Sequence, residues 1–131
     1  MGWDRSGNPG TGGVCIHHPS GDIKKIATYT QTPVDNGNFW ETYWITTSNG
    51  HSVTEGGSSG SSLINSNYKV IGQLWGGSTI YCENPAAKKS IYGKLSVSWA
   101  SNDTIQRQLK HWLDPNNTGA SNVIVKKVVV Q

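Results

Sequence analysis

The sequence has 131 residues, enough for one compact domain, and its 16 glycines, six tryptophans and five tyrosines indicate a β-rich globular protein rather than a disordered chain. Its net charge of +3 comes from dispersed lysines without a basic, aromatic-lined groove, so we predict no nucleic-acid partner. Apolar runs fall short of eighteen residues, which predicts no membrane span, and the first ten residues contain no apolar signal region.

The first half of the chain alternates turn-forming residues with short apolar and β-branched runs. The two runs on either side of Pro19–Asp22 predict a hairpin. In chain order the predicted elements are a loop over 1–12, a strand over 13–19, a turn over 19–22, a strand over 23–30, a loop over 32–38 and a strand over 39–47.

The second half predicts one more hairpin and a helix. The predicted elements are a loop over 48–61, hairpin strands over 61–65 and 69–75, a loop over 76–90, a strand over 91–99, a helix over 102–114 and a tail strand over 122–130. Ile105, Leu109, Trp112 and Leu113 recur at helical period, and Pro115 ends that pattern. The fold class predicted is all-β: a six-stranded antiparallel barrel over residues 1–120 with one C-terminal α-helix, followed by a tail over 121–131.

The run GGSSGSSL, residues 56–63, raises the question of whether it is a flexible linker or a tight loop. A serine becomes a useful nucleophile when a turn holds it beside a base and backbone amides face the developing oxyanion. Glycines permit such a turn because they adopt positive φ. Ser59 is therefore the candidate nucleophile, and the amides of Gly57 and Ser59 are candidate oxyanion donors. A plain Gly/Ser loop is the alternative.

The motifs around this loop occur in a recognisable order: GWDRSG, IHHPSGDIKKI, VTEGGSSGSSL, GQLWGG, YGKLSVSW and HWLDPNNTGA. Over residues 2 to about 120 the chain resembles the second barrel of chymotrypsin-fold serine peptidases, and most closely the lysyl endopeptidase family of secreted bacterial enzymes. The resemblance implies that Ser59 forms the acyl-enzyme and that Trp75, Gly76 and Gly77 line the substrate cleft.

The resemblance also identifies two positions of the specificity pocket, Val53 and Ser90. Neither is a carboxylate, so we expect the pocket to prefer an uncharged side chain. Many chymotrypsin-like enzymes carry an aspartate just before the nucleophile, where it pairs with a newly released amine. Ser58 occupies that position here, so that activation mechanism is not expected.

The catalytic histidine and aspartate of the family belong to a first barrel that this sequence does not resemble. His17 and His18 are neighbours on a strand and should point to opposite faces. His111 lies on the predicted helix, and only His51, in the loop before Ser59, is considered as a substitute base. We therefore expect a serine endopeptidase half that is inactive alone, either a fragment or a partner of a complementing barrel.

A non-catalytic peptide-binding module that uses the same cleft is the alternative function. The expected partners are a peptide or protein substrate, and either the missing first barrel or a second copy of the chain. No cofactor and no metal site are predicted, because the two cysteines lack metal-site spacing. Cys15 and Cys82 either pair with each other or both stay unpaired, and secretion is implied by the resemblance alone.

Overall fold

The fold was analysed in a computed structural model, which describes residues 1–78 and 88–124. Short strands dominate these residues. They are β1 Gly2–Asp4, β2 Gly13–His17, β3 Lys25–Tyr29, β4 Val34–Asn36, β5 Phe39–Tyr43, β6 Ser62–Asn65, β7 Lys69–Gly77, β8 Lys89–Lys94 and β9 Asn122–Val123. The helical pieces are α1 Leu95–Ser98, α2 Lys110–Leu113 and the 3₁₀ turns Pro19–Gly21 and Ile105–Arg107. The predicted all-β class is thus confirmed.

The strands pair into one sheet in the order β3-β2-β6-β7-β8-β5-β4, and β1 and β9 add to it beside β7. Within the described residues this path is open, ending at β3 and β4, so closure into a six-stranded barrel is not confirmed. The sheet nevertheless curves around one core. Tyr29 of β3 meets Trp44, which follows β5, with ring centroids 6.3 Å apart and near-perpendicular planes.

Both predicted hairpins are confirmed. β2 pairs with β3 from Gly13↔Tyr29 to His17↔Lys25, and β6 pairs with β7 across the Asn65–Tyr68 turn. Because side chains alternate along a strand, Cys15 and His17 are buried whereas Ile16 between them is exposed. The apolar core comprises Cys15, Ala27, Tyr29, Trp40, Trp44, Leu63, Ile71, Leu74 and Tyr92.

The long strand β7 positions the candidate site. Its pairing with β8 shifts register between Leu74 and Gly76, so Trp75 is an extra residue on that strand. On the opposite edge, β6 pairs with β7 only as far as Gln73, after which Leu74 exchanges backbone hydrogen bonds with the serine loop. This strand therefore joins the sheet directly to the loop.

The N-terminal segment differs from the prediction of a loop over residues 1–12, because Gly2–Asp4 is a strand. It runs parallel to β7 and antiparallel to β9. A Cβ atom on residue 2 would overlap the Val123 carbonyl oxygen, so only glycine permits this approach. The pairing joins residues more than sixty positions apart, and a local pattern carries no information about it. The predicted loop over 32–38 likewise contains β4.

Two predictions near the C-terminus are wrong in extent. The strand predicted over 91–99 ends at Lys94, and α1 follows it. The helix predicted over 102–114 is reduced to a 3₁₀ turn and four α-helical residues, because Gln108 adopts extended geometry with φ −96° and ψ 121°. Ile105 and Trp112 are 60% and 67% exposed, so the apolar face lacks the tertiary packing that stabilises most protein helices.

The predicted tail is described only in part. Asn122 and Val123 pair with β1, and the remainder of the predicted tail strand lies outside the described residues. A domain boundary at residue 120 stays a prediction. Within 1–78 and 88–124, no helix has the length and apolar character required to cross a membrane.

Candidate active site

The serine loop is a tied turn rather than a slack linker. The Ser58 amide donates to the Glu55 carbonyl at 3.1 Å, and the Ser58 carbonyl accepts from the Ser61 amide at 3.1 Å. The Gly60 amide donates to the Leu74 carbonyl at 2.8 Å. Gly57 and Gly60 adopt φ of +89° and +82°, which side-chain-bearing residues rarely adopt. The loop conformation therefore depends on these glycines and on contacts with the sheet.

The two serines at the centre of the loop have opposite environments. Ser58 is 2% exposed, and its Oγ lies 2.8 Å from Nδ1 of His17, a side chain that is itself 4% exposed. Ser59 is exposed and borders an open cleft of about 460 Å³. The turn thus buries one hydroxyl and presents the next one to solvent.

The amides of Gly57 and Ser59 meet no acceptor among the described residues. The directions of these two amides are fixed by the hydrogen bonds of the carbonyls in the same peptide groups, because the C=O and N–H of a trans peptide point in opposite directions. The Gly56 carbonyl accepts from the Ser20 amide at 2.7 Å, and the Ser58 carbonyl accepts from Ser61. Both remaining N–H groups are therefore directed away from those bonds, which leaves two donors beside Ser59 for an anionic oxygen.

The cleft lies between the serine loop and the end of β7. Gly76 and Gly77 line it, and a Cβ atom on Gly76 would meet no atom within 4 Å. Ser20 and Glu55 form the opposite rim, where the Ser20 hydroxyl donates to Glu55 Oε2 at 2.9 Å. Neither rim residue was among the predicted cleft residues. Bare backbone along one wall suits an extended peptide, which pairs through its main chain.

Trp75 does not share this cleft. Its side chain is 68% exposed and lines a neighbouring recess of about 260 Å³, where its ring lies 5.5 Å from that of Phe39. Leu74 borders both the cleft and this recess, and the register shift at Trp75 interrupts the regular alternation of strand β7. The structure therefore places Gly76 and Gly77 together with Ser59, and Trp75 beside them on another surface.

The two predicted specificity positions are also separated. Ser90 is 1% exposed, and its Oγ lies 2.6 Å from Thr54 Oγ1 and accepts a hydrogen bond from Trp44 Nε1 at 2.7 Å. Thr54 borders the cleft, so Ser90 stands directly behind its wall. Val53 instead lines a second recess, of about 280 Å³, together with His51. The groups around Ser90 are uncharged.

All four histidines lie in the described part of the chain, and none hydrogen-bonds to Ser59. The His51 ring contacts Thr46 Oγ1, at 3.2 and 3.3 Å from its two nitrogens. His18 lies 3.3 Å from the Asp22 carbonyl, and His111 contacts the Gln108 side chain. His17 is held on Ser58, and burial lowers the pKa of its imidazole, partly opposed by the Glu55 carboxylate. This geometry supplies Ser59 with no base from within residues 1–78 and 88–124.

Among these same residues no group of three or more histidine, cysteine, aspartate and glutamate side chains is arranged to hold a metal ion. Cys15 is a buried free thiol that donates to Ser61 Oγ at 3.2 Å, and burial raises its pKa. Cys82 lies outside the described residues, as does Glu83.

The loop places an exposed serine on a tied glycine turn with two unpaired amides beside it. This arrangement resembles the nucleophile loop that the sequence motifs predict for a serine peptidase. The comparison with protein families agrees with this class. The family model described as lysyl endopeptidase, C-terminal domain, matches residues 1–93. The chain belongs to that family.

Sequence reasoning did not identify the contact between His17 and Ser58. The relevant signal was present, because alternation along β2 predicts that one of the two adjacent histidines faces inward. The identity of its partner depends on a contact across 41 residues, which the alternation does not supply.

Proposed function

We propose that the chain provides the nucleophile-bearing half of a serine endopeptidase. Ser59 is the nucleophile, the amides of Gly57 and Ser59 bind the oxyanion, and Gly76 and Gly77 pair with the substrate backbone. The single observation that carries this proposal is the pair of unpaired amides beside an exposed hydroxyl, in a turn where the amides of Ser58, Gly60 and Ser61 are bonded.

The proposed reaction has two steps. Ser59 Oγ attacks the substrate carbonyl carbon, its proton passes to a histidine, and that proton leaves with the amine product. Water then hydrolyses the acyl ester and regenerates the hydroxyl. Because no histidine of this chain reaches Ser59, the base has to come from a complementing first barrel, and the chain alone has negligible activity.

The first barrel is accordingly the proposed protein partner, with self-association as the competing outcome. Large apolar side chains, Ile16, Ile26 and Trp112, are 44%, 61% and 67% exposed, so surface is available to cover. Secretion is proposed as well, because lysyl endopeptidases are generally secreted.

The buried end of the cleft supports a preference for an uncharged substrate side chain. Ser90, Thr54 and Trp44 form a neutral network there. The carboxylate of Glu55 stands at the rim and bonds to Ser20. A cleavage profile of the complemented enzyme dominated by lysine or arginine would overturn this preference and would direct attention to Glu55.

The test uses the full chain mixed with the histidine-bearing first barrel of a lysyl endopeptidase, treated with a fluorophosphonate. We expect mass spectrometry to find the fluorophosphonate adduct on Ser59 in the mixture and no adduct on the chain alone. Ser59→Ala should abolish labelling, whereas Ser66→Ala, on the exposed turn of the second hairpin, should keep it. Labelling at another serine, or ester turnover by the isolated chain that is lost on Ser59→Ala, would contradict the proposal.

The alternative is a peptide-binding module, favoured by an open strand end with no base at the adjacent serine. It predicts that Ser59→Ala binds peptides as well as the unmodified chain and that complementation never produces labelling. Fluorophosphonate labelling of the complemented mixture distinguishes the two functions, because only the peptidase proposal requires it. Calorimetric titration with extended peptides measures the binding that the alternative requires.

A further inference from the structure

Resting on the proposed function, we propose that His17 is a positioning residue for the serine loop. Its ring anchors the buried Ser58 side chain to strand β2, and thereby fixes the directions of the Gly57 and Ser59 amides. His17 touches neither Ser59 nor the cleft, so it acts through Ser58.

The first argument is that Ser58 is bonded at every polar group. Its amide donates to Glu55, its carbonyl accepts from Ser61, and its hydroxyl meets His17 Nδ1 at 2.8 Å. The first two bonds are local to the loop and could persist if the turn moved as a body. The His17 bond reaches the sheet, because His17 pairs with Lys25 at the end of the β2–β3 hairpin.

The second argument concerns what this anchor fixes. The carbonyl of Ser58 and the amide of Ser59 belong to one planar peptide, so holding Ser58 holds the direction of the Ser59 amide. Gly57 adopts φ +89°, and a glycine offers little resistance to peptide rotation. Ser20 holds the peptide before Gly57, and Leu74 holds Gly60 and Ser61 on strand β7. The His17 bond adds the attachment of Ser58 between them, and preorganised donors are what oxyanion stabilisation requires.

The third argument is burial. Both side chains are almost fully enclosed, where a hydrogen bond is costly to lose because the remaining group is left without a partner. The Ser58 side chain is 2% exposed, whereas the His17 ring also borders the recess that Val53 and His51 line. The other titratable groups around the His17 ring are Glu55, His18, Asp22, Lys25 and His51.

Amide hydrogen exchange of the isolated full chain tests the proposal without requiring turnover. Ser58→Ala and His17→Gln should accelerate exchange by about tenfold at the Gly60 amide, whose hydrogen bond to the Leu74 carbonyl joins the loop to the sheet, with strand β8 unchanged. His17→Asn is the rescue, because an asparagine amide reaches the position of Nδ1 whereas that of glutamine corresponds to Nε2. It should stay within about threefold of the unmodified chain.

His18→Asn is the matched control, since that neighbouring side chain is exposed and contacts the Asp22 carbonyl instead of the loop. Equal exchange in the unmodified chain, Ser58→Ala and His17→Gln would overturn the proposal. So would acceleration over the whole sheet in His17→Asn, because this would assign His17 a general structural role.

A second measurement keeps the proposal testable if the variants do not fold. In the unmodified chain, the NMR shifts of the Gly57 and Ser59 amides should titrate with the midpoint of the His17 imidazole. Loop amides that ignore that midpoint would overturn the proposal. If Ser58→Ala and His17→Gln loosen the loop but the complemented mixture is not labelled by the fluorophosphonate, only the proposed function is refuted. If the complemented mixture is labelled but loop exchange is unchanged in His17→Gln, only the positioning role is refuted.

Discussion

At the scale of single residues, the site depends on a contrast between two adjacent serines. Ser58 faces inward and is bonded to His17, whereas Ser59 faces the cleft without a hydrogen-bond partner among residues 1–78 and 88–124. A buried neutral histidine holds the first serine, so the loop is sensitive to protonation of that histidine. The consequence can be measured on the folded chain.

We predict that stability falls on acidification from pH 7.5 to 5.5. The pKa of His17 in the fold is below its ordinary value of 6.5 because of burial. The unfolded chain therefore binds the proton more readily, and stability is lost as pH falls through 6.5 toward the folded pKa. Urea midpoints at the two pH values measure this loss.

The matched control is His111→Gln, which alters an exposed histidine and should keep the pH dependence. His17→Gln should flatten it. The carboxylates whose pKa values are lowered titrate at more acidic pH, so they lie outside this window. A midpoint that is unchanged or higher at pH 5.5 would contradict the prediction.

At the scale of elements, the serine loop combines glycines with different requirements. Gly60 has φ +82°, whereas Gly56 does not have positive φ, and a Cβ atom would meet no neighbour at either position. Comparing alanine at these two positions therefore measures the cost of backbone strain, because neither substitution adds a steric clash. Only the first glycine is required by the conformation of the turn.

We predict that Gly60→Ala destabilises the chain by about 1–2 kcal/mol, because an L side chain is strained in the left-handed region. Gly56→Ala should change the free energy of unfolding by less than about 0.5 kcal/mol. Urea denaturation followed by tryptophan fluorescence measures both values. Equal effects of the two substitutions would show that the turn does not hold the conformation described.

At the scale of the whole molecule, the two ends of the described chain are clasped together. Arg5 Nε donates to the Ala120 carbonyl at 2.9 Å, and Arg5 Nη2 donates to the Gly119 carbonyl at 3.0 Å. The guanidinium also lies 4.5 Å from the centre of the Trp99 ring, which packs against Trp3. One side chain thus joins β1, the segment after α1 and the segment before β9.

We predict that Arg5→Met costs about 1–3 kcal/mol, because methionine keeps an apolar stem while two carbonyls lose their donors. Arg107→Met, at an exposed arginine, is the control and should be close to neutral. The measurement is the free energy of unfolding in urea. Equal stability of the two variants would mean that the clasp contributes nothing.

The sequence by itself determined the all-β class, both hairpins and the serine that faces the cleft. Those features depend on alternation, turn residues and a motif, all of which are local. Alternation also predicted that His17 and His18 face opposite sides, although it identified neither the buried histidine nor its partner. The short C-terminal helix was overestimated because apolar periodicity does not reveal whether a face will be covered.

Only the tertiary structure decided which groups meet across the sheet. His17 contacts Ser58, and Gly2–Asp4 pairs with Asn122–Val123, although these residues are far apart in the chain. Val53 and Trp75 lie outside the cleft, although the sequence placed them in it. Such contacts depend on how strands far apart in the chain are ordered in the sheet, and local periodicity carries no information about that order.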